Sequence, residues 1–214
     1  MKFLKRHAYA LVFTLFLMGA NVYSLLKVFV IPSAVSTVSA NTTSSTTASS
    51  TASTSTGKVT KTDTTYKDDN MDIKITTGKT SDTTYYVADI KLSSADYLKT
   101  ALAQNTYGTN ITDTTSSIAQ QNNAIFAING DYYGANQSGY VIKNGQVYRD
   151  TDRNSDYEDL AVYSDGSFKT FKESDTTAQK LVDSGVVNTF AFGPTLVENG
   201  KIAVSENEEV GQAM

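Results

Sequence analysis

The chain has 214 residues, no cysteine, a single histidine and a formal net charge of −4. The histidine is His7, so the residues beyond it offer neither His nor Cys. A Ser-His-Asp triad, a cysteine nucleophile and a zinc site of nitrogen or sulfur ligands are therefore excluded. The acidic balance gives no indication of a nucleic acid partner. Carboxylates, tyrosines and amide donors remain as the groups for chemistry, and no cofactor is expected.

The N-terminus combines a basic head, residues 1–7, with an apolar run from Ala8 to Leu26. Such a run is just long enough to cross a bilayer as one helix, and the basic head predicts a cytoplasmic N-terminus. A cleavable signal peptide is the alternative, because small residues near Ala40 resemble a cleavage site. Residues 1–40 are thus expected to place the rest of the chain outside the cell, either anchored by a single transmembrane helix or secreted.

Residues 41–66 are mostly Thr, Ser and Ala. They cannot bury enough apolar surface to offset the entropy lost on ordering, so a disordered linker is predicted. Residues 67–214 are long enough to form one domain with its own core, which must be stable without disulfides.

The first half of that domain alternates strands and short helices. Alternation and β-branched or aromatic content predict strands over Met71–Ile75 and Tyr85–Leu92. A helix is predicted over residues 93–102, which begin with a capping-box pattern. A second helix is predicted over residues 114–122.

Three hairpins are predicted from Asn-Gly or Asp-Gly pairs between strand-like runs, at Asn144-Gly145, Asp165-Gly166 and Asn199-Gly200. A helix over residues 175–184 lies between the second and third, with Gly185 as its stop. The fold expected is α+β: a mixed, largely antiparallel sheet with hairpins and peripheral helices, preceded by one transmembrane helix and a disordered linker.

Five apolar residues, Ala124–Ile128, precede Asn129-Gly130-Asp131. The run predicts a strand buried on both faces, ending in an amide, an accessible backbone and a carboxylate at the edge of a sheet. An ordinary strand followed by a tight Asn-Gly turn is the alternative interpretation.

Three segments carry a resemblance to a known family: Ala-Ile-Asn-Gly-Asp-Tyr-Tyr-Gly from residue 127, Gly-Tyr-Val-Ile-Lys-Asn-Gly from residue 139, and Phe-Gly-Pro-Thr-Leu-Val-Glu-Asn-Gly from residue 192. In this order they resemble the phosphodiester glycosidase family, from about residue 85 to the last residue. Two later family segments, Asn-Pro-Arg-Thr-Ala-Ile-Gly and Leu-Asp-Gly-Gly-Gly-Ser, are not found, so a domain truncated at its C-terminus is expected.

The resemblance implies hydrolysis of a sugar-1-phosphodiester bond. Asp131 is the candidate catalytic carboxylate and Asn129 a candidate donor to substrate hydroxyl or phosphate. The candidate substrate-binding residues are Gly130, Tyr132, Tyr133, Gly139 and Arg149. Structural alternatives are considered for three of these positions: Asp131 as a turn residue, the tyrosine that points inward as a packing residue, and Arg149 as an ordinary surface arginine instead of a phosphate clamp.

The acidic residues between Asp150 and Glu158 alternate as in a calcium-binding loop. Ser155 and Ala161, however, stand where that loop needs glycine and glutamate. A solvated acidic loop is the preferred interpretation, and no metal site is predicted.

Two functions are therefore considered. The first is an extracellular, membrane-anchored hydrolase of sugar-1-phosphodiester bonds in surface or exported glycans such as an exopolysaccharide. The second is a catalytically inactive, truncated glycan-binding module, or one part of a split enzyme. The sequence does not fix the oligomeric state.

Overall fold

We describe the protein from a computed structural model covering residues 2–34, 58–153, 157–191 and 193–205. Within these ranges every strand pairing is antiparallel. Short helices lie between the strands. This confirms an α+β fold with β-hairpins and few helices.

The described helices and strands follow one another in this order: α1 Lys2–Phe29, β1 Ser33–Ala34, β2 Thr60–Lys61, β3 Thr65–Lys67, β4 Met71–Lys79, β5 Thr84–Leu92, β6 Gly108–Thr109, α2 Thr115–Gln121, β7 Val141–Lys143, β8 Gln146–Arg149, β9 Glu158–Tyr163, β10 Phe168–Lys172, α3 Ala178–Asp183, β11 Val186–Phe190, β12 Val197–Glu198 and β13 Lys201–Ile202.

The N-terminal segment forms α1, which is 28 residues long. Among the helices of the described ranges, none combines the length and the apolar character needed to span a bilayer, so the predicted transmembrane helix is not supported.

The first sheet has four strands in the order β2-β3-β4-β5. β4 and β5 pair along nine residues each, which confirms both predicted strands and extends the first one to Lys79. β2 and the start of β3 fall inside the predicted linker 41–66, so the sheet begins before residue 67. Residues 41–57 lie outside the described ranges.

Most of the buried core lies in the second half of the domain. β7 and β8 form one hairpin, and β9 is the central strand of a three-stranded sheet in the order β10-β9-β11. Side chains from these strands and from α3 pack together as one cluster: Tyr140, Ile142, Val147, Ala161, Ala178, Leu181 and Val186. Val182, on the same helix as Ala178 and Leu181, is partly buried against this cluster.

The three predicted hairpins all form. Asn144 and Gly145 both have positive φ, as do Asn199 and Gly200, which suits a type I′ turn. At the second hairpin only Gly166 has positive φ, and the side chain of Asp165 accepts a hydrogen bond from the Ser167 amide instead. The turn there is therefore not type I′.

The helix predicted over residues 93–102 is wrong beyond its first turn. Ser94 caps a single 3-10 turn, Ala95–Tyr97, and Leu98 is already extended. The amide of Thr100 donates to the side chain of Asn144, and the carbonyl of Thr100 accepts from it. These tertiary hydrogen bonds take backbone groups that a continued helix would have used.

The strand predicted over Ala124–Ile128 is also wrong. Helix α2 ends at Gln121, Asn123 two residues later has φ 52°, and the amide of Ala124 donates to the carbonyl of Ala119 at 2.9 Å. This is the hydrogen-bond pattern of a Schellman C-cap, so the start of the run belongs to the helix end. No strand within the described ranges pairs with the remainder, and Ile128 is 79% exposed.

Candidate functional site

Asp131 and Lys143 form a buried ion pair. Nζ of Lys143 lies 3.5 Å from Oδ1 of Asp131, and the two side chains are 5% and 4% exposed. The second carboxylate oxygen, Oδ2, accepts a hydrogen bond from the amide of Ala191 at 3.1 Å. Asp131 is therefore turned into the protein and is not a surface turn residue.

The ammonium group of Lys143 has a mixed environment. It donates to the carbonyl of Thr189 at 2.7 Å and lies 4.1 Å from the centre of the Phe190 ring. Burial lowers the pKa of Lys143 below its usual value, and the neighbouring Asp131 carboxylate partly offsets this effect. A buried amine of this kind can donate hydrogen bonds to an anion or release a proton more readily than an exposed lysine.

The pair joins the segments that carry the family resemblance. Asp131 belongs to the first segment and Lys143 to the second, while Ala191 directly precedes the third. The side chain of Thr189 also accepts from the amide of Ile142 and donates to the carbonyl of Tyr140, so β7 and β11 lie side by side. Two buried strands thus hold Lys143, whereas Asp131 comes from a loop.

Asn129 and Gly130, which precede Asp131, are more exposed to solvent than the Asp131 side chain. Asn129 is exposed, and its side-chain carbonyl accepts a hydrogen bond from the hydroxyl of Thr115. Gly130 is exposed as well, and a Cβ there would meet the ring of Phe190 at 3.5 Å. Neither Asn129 nor Gly130 has a positive φ, so the alternative of a tight Asn-Gly turn is not found. The exposed amide of Asn129 thus lies beside the buried carboxylate of Asp131, in a loop and not at the end of the predicted strand.

The two adjacent tyrosines differ in burial. Tyr132 is 52% exposed. Tyr133 is half-buried and stacks on Tyr107, with ring centres 5.3 Å apart, and Tyr107 in turn packs on Tyr148 at 5.1 Å. Burial raises the pKa of both Tyr107 and Tyr133, so both stay neutral near pH 7. Tyr132 is thus the more exposed of the two tyrosines, and its contact with a ligand stays a prediction.

Arg149 holds the backbone of the loop between Tyr133 and Gly139. Its guanidinium donates to the carbonyls of Gly139 at 2.6 Å, Asn136 at 2.6 Å and Tyr133 at 3.0 Å. Gly139 is buried with φ 100°, and a Cβ there would crowd the side chain of Arg153. Both residues shape the loop that follows Asp131, and their contact with a substrate stays a prediction.

The acidic loop is described only at its two ends, because residues 154–156 lie outside the described ranges. Glu158 accepts a hydrogen bond from the hydroxyl of Thr195. Within the parts of the chain that are described, no three His, Cys, Asp or Glu side chains are grouped so that they could hold a metal ion.

Lys143 is the site residue that the sequence did not single out. It lies one residue before an Asn-Gly turn, where an exposed lysine is the ordinary expectation. The only signal was its place in the second family segment, directly after three residues with strand-like side chains. Its partner comes from a loop twelve residues earlier, and spacing alone does not reveal such a contact.

Together, the fold and the site define an α+β domain in which a buried carboxylate and a buried ammonium group meet beneath a loop bearing an exposed amide and an exposed tyrosine. Because residues 8–214 contain no His or Cys, the ionisable groups of this candidate site are carboxylates, cationic groups and tyrosines.

The sequence model of the phosphodiester glycosidase family matches residues 122–213, which confirms the resemblance over that segment. Among curated proteins, the chain is similar to the SPbeta prophage-derived uncharacterized protein YomE of Bacillus subtilis (strain 168). The two are 31% identical over 99 residues, which cover 44% of this chain and 15% of that protein. No solved structure matches the chain.

Proposed function

We propose that the domain hydrolyses sugar-1-phosphodiester bonds in surface or exported glycans. The observation that carries this proposal is the buried Asp131–Lys143 pair, which lies inside the segment matched by the phosphodiester glycosidase family and joins two of its characteristic stretches. The match to the family model supports glycosidase-type chemistry on a carbohydrate, and the pair supplies groups suited to it.

The chemistry of the bond explains why these groups suffice. A phosphodiester is a weakly basic leaving group, so its departure needs little help from a general acid. What the reaction requires is a carboxylate that acts on the anomeric carbon or on the attacking water, and a cation that stabilises the phosphate oxygens. Asp131 is the candidate for the first role and Lys143 for the second.

The flanking residues would bind the substrate. Asn129 presents an amide for a sugar hydroxyl or a phosphate oxygen, and the exposed ring of Tyr132 offers a face on which a sugar can stack. Arg149 is the candidate for a second cationic contact to the phosphate, provided that it retains a free N–H while it holds the loop carbonyls.

The test is direct hydrolysis by the full chain. A methyl diester of N-acetylglucosamine 1-phosphate serves as the first probe, and free sugar is measured against a buffer blank. Asp131→Asn and Lys143→Met should abolish release, whereas the matched exposed-site variants Asp183→Asn and Lys180→Met should not change it. Folded protein that releases no sugar from this probe or from the corresponding glucose diester would contradict the proposal.

A second function, glycan binding without catalysis, is favoured by one observation. The Asp131 side chain is 4% exposed, and both of its oxygens already contact groups of the protein. Titration of the same diesters by calorimetry separates the two functions, since binding that depends on Asn129 and Tyr132 but leaves the diester intact identifies a binding module.

We also propose that the domain acts outside the cell. The basic head followed by an apolar run supports export, with the chain either anchored in the membrane or released after cleavage near Ala40. Protease added to intact cells should then degrade the domain, or the domain should be found in the medium. Survival of the domain in intact but not in lysed cells would contradict export.

A further inference from the structure

A second group of charged side chains is buried away from Asp131. Asp159 on β9 is 1% exposed, Glu173 in the turn after β10 is 3% exposed, and the Arg153 side chain, from the loop after β8, is 13% exposed. The guanidinium of Arg153 contacts both carboxylates, through Nη2 to Asp159 and through Nε, 3.8 Å from Oε2 of Glu173. Two acidic groups thus share one permanent positive charge.

The two carboxylates are bonded very differently. Oε1 of Glu173 accepts from the amide of Tyr140 at 2.6 Å, and Oε2 accepts from the amide of Arg153 at 2.7 Å. Backbone donors on both oxygens stabilise the ionised form of a carboxylate. In Asp159, by contrast, Oδ1 accepts from Arg153, whereas the buried Oδ2 has no hydrogen-bond partner among the described residues.

This asymmetry indicates where a proton resides. A buried, ionised carboxylate oxygen without a donor is costly, and one arginine cannot neutralise two carboxylates. A proton on Asp159 removes the excess charge and leaves Glu173 free to accept from both amides.

We propose that Asp159 carries a proton in this cluster, Arg153–Asp159–Glu173, and that the cluster is a pH-dependent tether. It ties the start of β7 and the loop after β8 to the three-stranded sheet. Glu173 is the positioning residue, because its two oxygens hold Tyr140 and Arg153 through their amides. β7 ends at Lys143, so the tether anchors one end of the strand that carries the buried ammonium group.

The surrounding groups favour the protonated form of Asp159. Burial and, next, the Glu173 carboxyl beside it raise the pKa of Asp159, Arg153 opposes them, and the net pKa is about 7. At the start of β7, the Tyr140 hydroxyl donates to the Thr176 carbonyl, and burial together with Asp152, Glu173 and Asp150 raises its pKa, so it stays neutral in this range. Glu158, the neighbour of Asp159 on β9, accepts a hydrogen bond from the hydroxyl of Thr195.

The direction of the effect follows from linkage. The folded-state pKa of Asp159 lies above its unfolded value of 3.8, so the stabilisation is complete below about pH 4 and is lost as pH rises through about 7. Above that pH the cluster holds two negative charges against one positive charge, and the tether is weakened.

The experiment uses the full chain and needs no enzymatic assay. The carboxyl carbon of Asp159 is followed by NMR from pH 3 to pH 9 in the wild-type protein, and its signal is assigned through bonds from the backbone resonances of Asp159. A midpoint near 7 is expected. A midpoint near the ordinary aspartate value would overturn the proposal.

Amide hydrogen exchange of Tyr140 and Arg153 provides the second measurement. After correction for intrinsic exchange, their protection should fall roughly tenfold for each unit of pH between 5 and 7 and then level off. In Asp159→Asn this dependence should disappear, and the amide of Ile118 in the remote helix α2 should show none in either protein. The same pH dependence in both proteins would overturn the proposal, and wild-type NMR remains decisive if the variant does not fold.

Discussion

The ammonium group of Lys143 faces the carboxylate of Asp131 across 3.5 Å in a place that water hardly reaches. Each residue is therefore the counter-ion that offsets the cost of burying the other's charge. Removing one partner leaves an uncompensated buried charge, which is more destabilising than removing both.

Asp131→Asn should consequently affect both turnover and stability. Loss of the carboxylate is expected to lower hydrolysis at least about a hundredfold, the scale of acid–base groups. Because Lys143 would lose its counter-ion, we also expect a loss of about 3 kcal/mol in the free energy of unfolding. Denaturant titration measures this free energy. The double variant Asp131→Asn/Lys143→Met should recover part of the stability that Asp131→Asn loses. Equal stability of wild type and Asp131→Asn would show that the pair is not coupled.

Lys143 should make stability increase at alkaline pH. Burial lowers its folded-state pKa below the unfolded value of 10.5, so the unfolded chain binds more protons than the folded one just below pH 10.5. The contribution of neutral Lys143 to the free energy of unfolding is therefore complete above pH 10.5. It is lost as pH falls through the folded-state pKa of Lys143. Thermal unfolding should therefore show a rise toward pH 10 in wild type that is absent in Lys143→Met.

The N-cap of α3 offers a test of local stability. The hydroxyl of Thr177 accepts the amide of Lys180 at 3.2 Å, so Thr177→Ala should lower the free energy of unfolding by about 1 kcal/mol. Thr176→Ala is the matched control, since Thr176 contributes its backbone carbonyl to Tyr140 and would keep doing so. Equal losses in the two variants would contradict the capping role.

Arg149→Lys should separate loop support from phosphate binding. A lysine cannot reproduce the planar fork that holds three carbonyls, so we expect a loss of about 2 kcal/mol in stability. If Arg149 also binds phosphate, KM for a sugar-1-phosphodiester should rise at least about tenfold while KM changes little in Lys180→Met. An unchanged KM in Arg149→Lys would show that Arg149 supports the loop and does not bind the phosphate.

Calcium should have little effect on stability. Ser155 and Ala161 break the pattern of a calcium loop, so addition of calcium or EDTA should leave Tm unchanged within about 1 °C. A rise of several degrees with calcium, and none with magnesium, would assign the acidic loop to metal binding.

The hairpins were predictable because the residues of each turn determine its conformation without help from distant parts of the chain. Asn and Gly adopt positive φ at little cost, so Asn144-Gly145 and Asn199-Gly200 specify both the turn and the register of their strands. The stop of α3 at Gly185, with φ 97°, is local in the same sense. Asp131 was also singled out from sequence as a candidate, although the apolar run before it suggested a strand, and its role in catalysis stays a prediction.

The remaining errors concern contacts between distant residues. A strand needs a neighbour, and the composition of Ala124–Ile128 cannot tell whether one is within reach. The end of the helix predicted after Asp96 depends on Asn144, 44 residues away from Thr100. The burial of Lys143 likewise depends on Thr189 and Phe190, which are brought near only by the completed sheet.

The exposed stretch between α2 and Asp131 also makes the chain easy to cut. Proteases bind their substrates in an extended form, and residues 124–130 are neither helical nor paired with another strand. A single nick there would separate the four-stranded sheet from nearly all of the family-matched segment. The halves would stay associated through the stacking of Tyr107 on Tyr133 and Tyr148, so the product would run as two bands on a denaturing gel but as one species in gel filtration.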